Sequence, residues 1–107
     1  MNAPLRVLQA SDTHLSPNAP FAAENWEAIL ALAAELRPDL VVHTGDISLD
    51  ASHDPTDLVH AREQLDRLDM PWVAVPGNHD IGDVHPSGDP VDDARRARFH
   101  DVFGDVV

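Results

Sequence analysis

Three short polar blocks carry side chains able to hold a divalent cation and move a proton: Asp12-Thr13-His14, Gly45-Asp46 and Gly77-Asn78-His79-Asp80. Each follows a short apolar run, and Pro76 breaks the third run just ahead of Gly77. The amide oxygen of Asn78 suits a hard cation, while the adjacent imidazole of His79 can give or take a proton. Asp46 offers two oxygens, enough to bridge two cations about 3.5–4 Å apart, the spacing of two-metal hydrolases. The chain contains no cysteine, so thiolate sites are excluded. The donors that remain suit Mn, Fe or Zn. Each block taken alone reads blandly. A lone Asp at a strand end is a turn residue, His14 a solvated loop residue, Asn78 a left-handed turn residue, and Asp80 a turn or capping residue.

The elements between the blocks must bring them together. Leu5 to Ala10, Leu40 to His43 and Trp72 to Val75 read as short strands, with Val7 and Leu8 giving the first a two-sided apolar centre of the buried parallel type. Trp26, Ile29, Leu30, Ala33 and Leu36 recur at helical spacing, predicting a helix over Ala22 to Leu36 that Arg37-Pro38 ends. Asp54-Pro55-Thr56-Asp57 reads as a helix start with Asp54 as N-cap, and Leu58, Ala61, Leu65 and Leu68 form its buried stripe. Residues 76–86 are expected to be a long loop. Asp89-Pro90-Val91-Asp92 repeats the helix-start pattern before Phe99, Val102 and Phe103, which face inward until Gly104.

The order βαβαβα predicts an α/β fold with a mostly parallel sheet. Asp12 and Asp46 lie 34 residues apart, Asp46 and Asn78 32, about one βαβ unit each. Successive parallel strands end on one edge of the sheet, so all three blocks are expected on a common rim. Trp26 and Trp72 read as core, and His43 packs beside the second strand. His60 and His100 read as solvated on helices, whereas His53 and His85 sit in loops from which either can approach a metal. Arg95, Arg96 and Arg98 read as a solvated helix face.

Composition narrows the function. The 107 residues make one domain at most, 43% hydrophobic and 24% charged, as expected of a soluble globular protein. A net charge of −12 disfavours a nucleic-acid groove, which needs a clustered basic face. Two divalent cations would bring that charge to −8, placing positive charge where an anionic substrate approaches. No run nears the roughly 20 apolar residues of a membrane span, and the start reads as lacking a signal peptide, so a cytoplasmic setting is expected.

Together the blocks Asp12-x-His14, Gly45-Asp46 and Gly77-Asn78-His79-Asp80 resemble the first three motif blocks of the calcineurin-like metallophosphoesterase superfamily. Ser-Asp-Thr-His-Leu and Pro-Gly-Asn-His-Asp are similar to its bacterial class III cyclic-nucleotide phosphodiesterase branch. The resemblance implies two divalent ions, with Asp12 and His14 on one, Asp46 bridging and Asn78 on the other. It also implies His79 as proton donor to the leaving group of a small phosphate ester, a phosphodiester ahead of a phosphomonoester. Members typically run to about twice this length or more, as a four-layer α/β/β/α sandwich, and add histidine ligands from a later Gly-His-x-His block. Residues 1–107 lack that block and are expected to be the amino-terminal portion of such a domain.

Four ligands cannot fill two sites, since even a four-coordinate ion with one open position takes three from the protein. Weak metal binding and little or no turnover are therefore expected of the isolated chain. Many relatives also carry an acidic residue three places after the bridging Asp, where this chain has Leu49, with Asp50 one later. The alternative is a non-catalytic interaction module, or a half-domain whose site a partner chain completes. Half a sandwich is expected to leave an apolar sheet face open to self-association.

Overall fold

The computed structural model describes residues 4–84 and 88–104, so His85 lies outside the described residues. The elements run β1 (Val7–Ala10), α1 (Pro20–Leu36), β2 (Leu40–His43), α2 (Thr56–Leu65), β3 (Trp72–Ala74), α3 (Asn78–Ile81) and α4 (Asp93–Phe103). The three strands form one parallel sheet in the order β1-β2-β3, which places β2, the strand leading into Asp46, at the centre. The register pairs Leu8 with Val41 and Ala10 with His43, then Val41 with Trp72 and His43 with Ala74. Those residues share one face of the sheet, because side chains alternate along a strand.

That face carries the core. Val41 and Ala74 pack in one cluster with Trp26 and Ala33 of α1, Leu58, Ala61 and Leu65 of α2, and Phe99 of α4. The opposite face, which presents Val7, Val73 and Val75, is exposed. Strand β1 is therefore buried on one side only: α1, α2 and α4 share the Val41–Ala74 face, and among the described residues Val7 is 51% exposed. The expected apolar sheet face is present.

Local chemistry moves several boundaries. Helix α1 starts two residues early because Pro20 supplies a preset φ at its first position. It ends as Arg37 enters the left-handed region, φ 51°, and its N–H returns to the Ala33 carbonyl at 2.8 Å. Leu36, counted in its apolar stripe, is exposed. Helix α2 starts at Thr56, with Pro55 in the cap position. Asp54 lies one step further out, its Oδ1 accepting the Thr56 N–H at 3.0 Å and hydroxyl at 2.6 Å. Asp92, not Asp89, caps α4 by accepting the Arg95 N–H at 2.8 Å. That donation is the main reason its carboxyl is held below the usual range. The long loop expected after β3 is interrupted by α3, so Asn78 and His79 open a single helical turn.

Candidate metal centre

The parallel pairing continues past the ends of β1 and β2 and fixes where their polar blocks lie. Asp12 N donates to Gly45 O at 2.9 Å, His14 N to Asp46 O at 3.1 Å and Leu15 N to Ile47 O at 2.7 Å. To turn their side chains onto the rim, Asp12, His14 and Asp46 adopt φ of 57°, 49° and 52°. Such left-handed non-glycine residues are uncommon and gather at functional sites. The third block docks glycine against glycine. A Cβ on Gly45 would lie 3.1 Å from the Gly77 backbone, and one on Gly77 would run into the backbone nitrogen and Oδ1 of Asp46.

The expected convergence is present. Asp12, His14 and Asp46 each bring a ligand atom within 4.8 Å of the others'. His14 Nδ1 is buried without a hydrogen-bond partner, while its Nε2 lies 3.8 Å from Asp12 Oδ1. One end of the Asn78 carboxamide stands 3.2 Å from both carboxylate oxygens of Asp46. With nitrogen inward it donates to Asp46; with oxygen inward it brings a third acceptor oxygen beside the two of the carboxylate, a donor set that suits a divalent cation. The Asp12 carboxyl is held below its usual range, chiefly by the Ser11 hydroxyl donating to Oδ2 at 2.5 Å, with His14 assisting against partial desolvation. Hard oxygens, an imidazole with an unsatisfied nitrogen and no thiol fit a divalent ion.

The calcineurin-like phosphoesterase family model matches residues 5–106. The chain belongs to that family. It is 34% identical over 82 residues to a "probable cyclic nucleotide phosphodiesterase" of Moraxella catarrhalis, which covers 75% of this chain and 29% of that protein. It is 33% identical over 82 residues to a "probable glycerophosphodiester phosphodiesterase" of Arcobacter nitrofigilis, covering 69% and 29%. A "DNA double-strand break repair protein Mre11" of Haloferax volcanii matches at 33% over 85 residues, covering 70% and 19%. This chain spans less than a third of the length of these relatives.

His79 takes a defined tautomer within this calcineurin-like rim. Its Nδ1 lies 2.6 Å from the Leu49 carbonyl, which can only accept, so Nδ1 carries the hydrogen and Nε2 is left to exchange protons. Its ring meets that of His14 edge to face, centroids 4.7 Å apart, and its backbone N–H donates to Asp46 Oδ1 at 2.9 Å. Leu49 contributes here through its backbone carbonyl.

His43 is fully buried one layer beneath. Gly45 N donates to its Nδ1 at 3.2 Å, so the hydrogen sits on Nε2, which donates to Thr13 Oγ1 at 2.9 Å. Thr13 passes its own hydrogen to the Ile47 carbonyl at 2.9 Å. Burial pushes the His43 pKa down, against the pull of Asp80, Asp12 and Asp46. The unfolded chain therefore binds this proton first. The stabilisation is complete above the unfolded value of about 6.5 and is lost as pH falls toward the depressed folded one. We expect the His43 ring to stay neutral by NMR after free histidine has titrated, and the urea midpoint to fall less steeply below pH 6.5 in His43→Gln.

Other side chains depart from their sequence readings. His53 shares a cleft with Asn78 and His79, but both its nitrogens are engaged there, 2.7 Å from Asp50 Oδ1 and 2.7 Å from Asp89 Oδ2. Asp50, chiefly through that hydrogen bond, together with Asp89 raises the His53 pKa. Arg95 is not a solvated helix residue. It donates from Nε to Ser52 O at 2.8 Å and from Nη1 to Asp92 Oδ2 at 2.8 Å. These contacts tie the loop after α3 to the loop before α2 beside a cleft of about 170 Å³ that reaches Asn78 and His79. Asp57 is buried and accepts from Ser16 Oγ at 3.0 Å and Asp50 N at 3.1 Å. Asp80 does close its own turn, taking the Gly77 N–H at 2.9 Å, yet it is buried and reaches across to the β2 loop. Nothing in the sequence distinguishes these two carboxylates from exposed ones. No helix among the described residues is long and apolar enough to cross a membrane.

Proposed function

We propose that this chain is the amino-terminal portion of a metal-dependent phosphoesterase domain, with Asp12, His14, Asp46 and Asn78 as metal ligands and His79 as the proton donor. The observation that carries this reading is the approach of Asp12, His14 and Asp46 to within 4.8 Å on a rim that Asn78 completes. Two divalent ions held there, of the Mn, Fe or Zn kind, would supply charge to bind phosphoryl oxygens and to acidify a water. Asp46, just past the central strand, would be the ligand shared by both. Asp12 and His14 would hold one ion, and Asn78, with its amide oxygen turned inward, would hold the other. His79, its Nδ1–H held by the Leu49 carbonyl, would as the imidazolium carry a second hydrogen on Nε2 and pass that one to the departing alcohol oxygen.

The substrate class is a small phosphate ester, a phosphodiester ahead of a phosphomonoester. Two relatives named as probable phosphodiesterases support that order. A cytoplasmic setting accords with an acidic chain that uses no cysteine. The exposed Val7–Val73–Val75 face is where a second sheet, from a longer chain or a partner, would pack.

The test is Mn²⁺-dependent cleavage of bis-p-nitrophenyl phosphate and p-nitrophenyl phosphate, run on the 107-residue chain and on its uninterrupted reading frame. The reading predicts that a frame encoding Gly-His-x-His cleaves the diester faster, and that the 107-residue chain does so at least about 100-fold more slowly for want of ligands. Failure of that longer frame to cleave either ester would contradict it.

A further inference from the structure

The Asp80 carboxylate, 1% exposed, receives four hydrogen bonds from two loops. Oδ1 accepts the Ser48 N–H at 2.9 Å and its hydroxyl at 2.6 Å, while Oδ2 accepts the N–H of Ile47 at 3.1 Å and of Gly77 at 2.9 Å. Ile47 and Ser48 directly follow Asp46, and Gly77 directly precedes Asn78. One buried anion therefore clamps the loop carrying Asp46 to the loop carrying Asn78 and His79. Burying a carboxylate is unfavourable unless every oxygen is satisfied, and here the satisfying donors lie on both sides of the ligand pair. We infer that Asp80 is a positioning residue that presets the separation of Asp46 and Asn78 before any cation arrives.

Three other observations agree. The seam has no slack, since a Cβ on Gly77 would collide with Asp46. The His79 N–H meets Asp46 Oδ1 across the same seam. Ser52 N, further along the loop that carries Asp46, donates to His79 O at 3.1 Å and ties the two loops a second time. Residues that orient ligands without touching the metal commonly change affinity by about 10–100-fold when altered. Asp57, equally buried but clamping Ser16 to Asp50, provides the comparison for a structural role alone.

This inference rests on the metal centre proposed above, and the experiment separates the two. Zn²⁺ binding to the 107-residue chain is titrated by calorimetry, with urea unfolding of each metal-free protein alongside. We expect Asp80→Asn to weaken Zn²⁺ binding by about 10–100-fold, Ser48→Ala by no more than about 3-fold, and Asp57→Asn by no more than about 2-fold despite lowering the urea midpoint. Equal Zn²⁺ affinity in Asp80→Asn and the unaltered chain overturns the positioning role, as does an affinity loss in Asp57→Asn that tracks stability equally. No Zn²⁺ binding by the unaltered chain overturns the metal centre itself.

Amide hydrogen exchange in the unaltered chain decides the matter even where Asp80→Asn does not fold. The N–H groups of Ile47, Ser48 and Gly77 are expected to be protected without metal and little changed by Zn²⁺. Free exchange that slows only on adding Zn²⁺ means the cation assembles the rim, and Asp80 does not preset it.

Discussion

An Asp46→Ala protein will keep its fold and lose divalent-cation binding by at least about 100-fold, the upper end of what a supporting residue alone can remove. Asp46 is central in every sense the structure offers: it leaves the middle strand, its ligand atom joins those of Asp12 and His14, and its two oxygens face the Asn78 carboxamide. Its carboxylate also takes the His79 N–H, so alanine loosens the third block as well. The fold survives because the Asp46 side chain contributes nothing to the apolar cluster beneath. The penalty is left-handed backbone at 52° without the local hydrogen bonding that helps Asp tolerate it, about 1–2 kcal/mol. Titration with Mn²⁺, read by the paramagnetic signal of the free ion, and urea unfolding check both halves. Binding as strong as that of the unaltered chain would show that the cation sits elsewhere.

The second large effect belongs to a residue with no donor. Gly77→Ala places a methyl group against the Asp46 backbone nitrogen and carboxylate, where no flexible side chain can yield on both sides. One loop must retreat, and either retreat pulls Asp46 from Asn78. We expect a loss of about 1–3 kcal/mol in unfolding free energy from overpacking, together with loss of cation binding comparable to Asp46→Ala. Gly104→Ala is the matched control. It sits at positive φ, 79°, where Gly77 is extended at −109°, but a Cβ there meets nothing within 4 Å. It should change stability by about 1 kcal/mol and leave Mn²⁺ binding as it was.

The rim was legible in the sequence because strand polarity is a long-range constraint that short patterns express well. Parallel strands joined by helical crossovers must end together, so the 34- and 32-residue spacings carried Asp12, Asp46 and Asn78 to one edge without any knowledge of side-chain contacts. The apolar stripe Leu58, Ala61, Leu65 and Leu68 is buried as its spacing required. Finer features escaped for physical reasons. A four-residue helix such as α3 is shorter than two turns and leaves no periodicity to detect.

Asp89 and Asp92 carry the same capping chemistry three residues apart, and the choice fell to a tertiary contact. Asp89 is engaged by Ser52 Oγ at 3.1 Å and by His53, leaving Asp92 to cap α4. The inward turn of Arg95 and the burial of Asp80 and Asp57 depend on which loops meet. Local residue type does not report that. The one-sided burial of β1 is a property of where the helices pack, and Val7-Leu8 reads alike whether one face or both are covered.

The most direct test of the central claim is the position of a bound ion. Crystals of the 107-residue chain soaked with Zn²⁺, with diffraction collected at the zinc absorption edge, will show anomalous density about 2.0–2.2 Å from an oxygen of Asp46 and in contact with Asn78, or with Asp12 and His14. Density confined to the Asp50–His53–Asp89 loops, or absent from the rim at saturating Zn²⁺, would contradict the account.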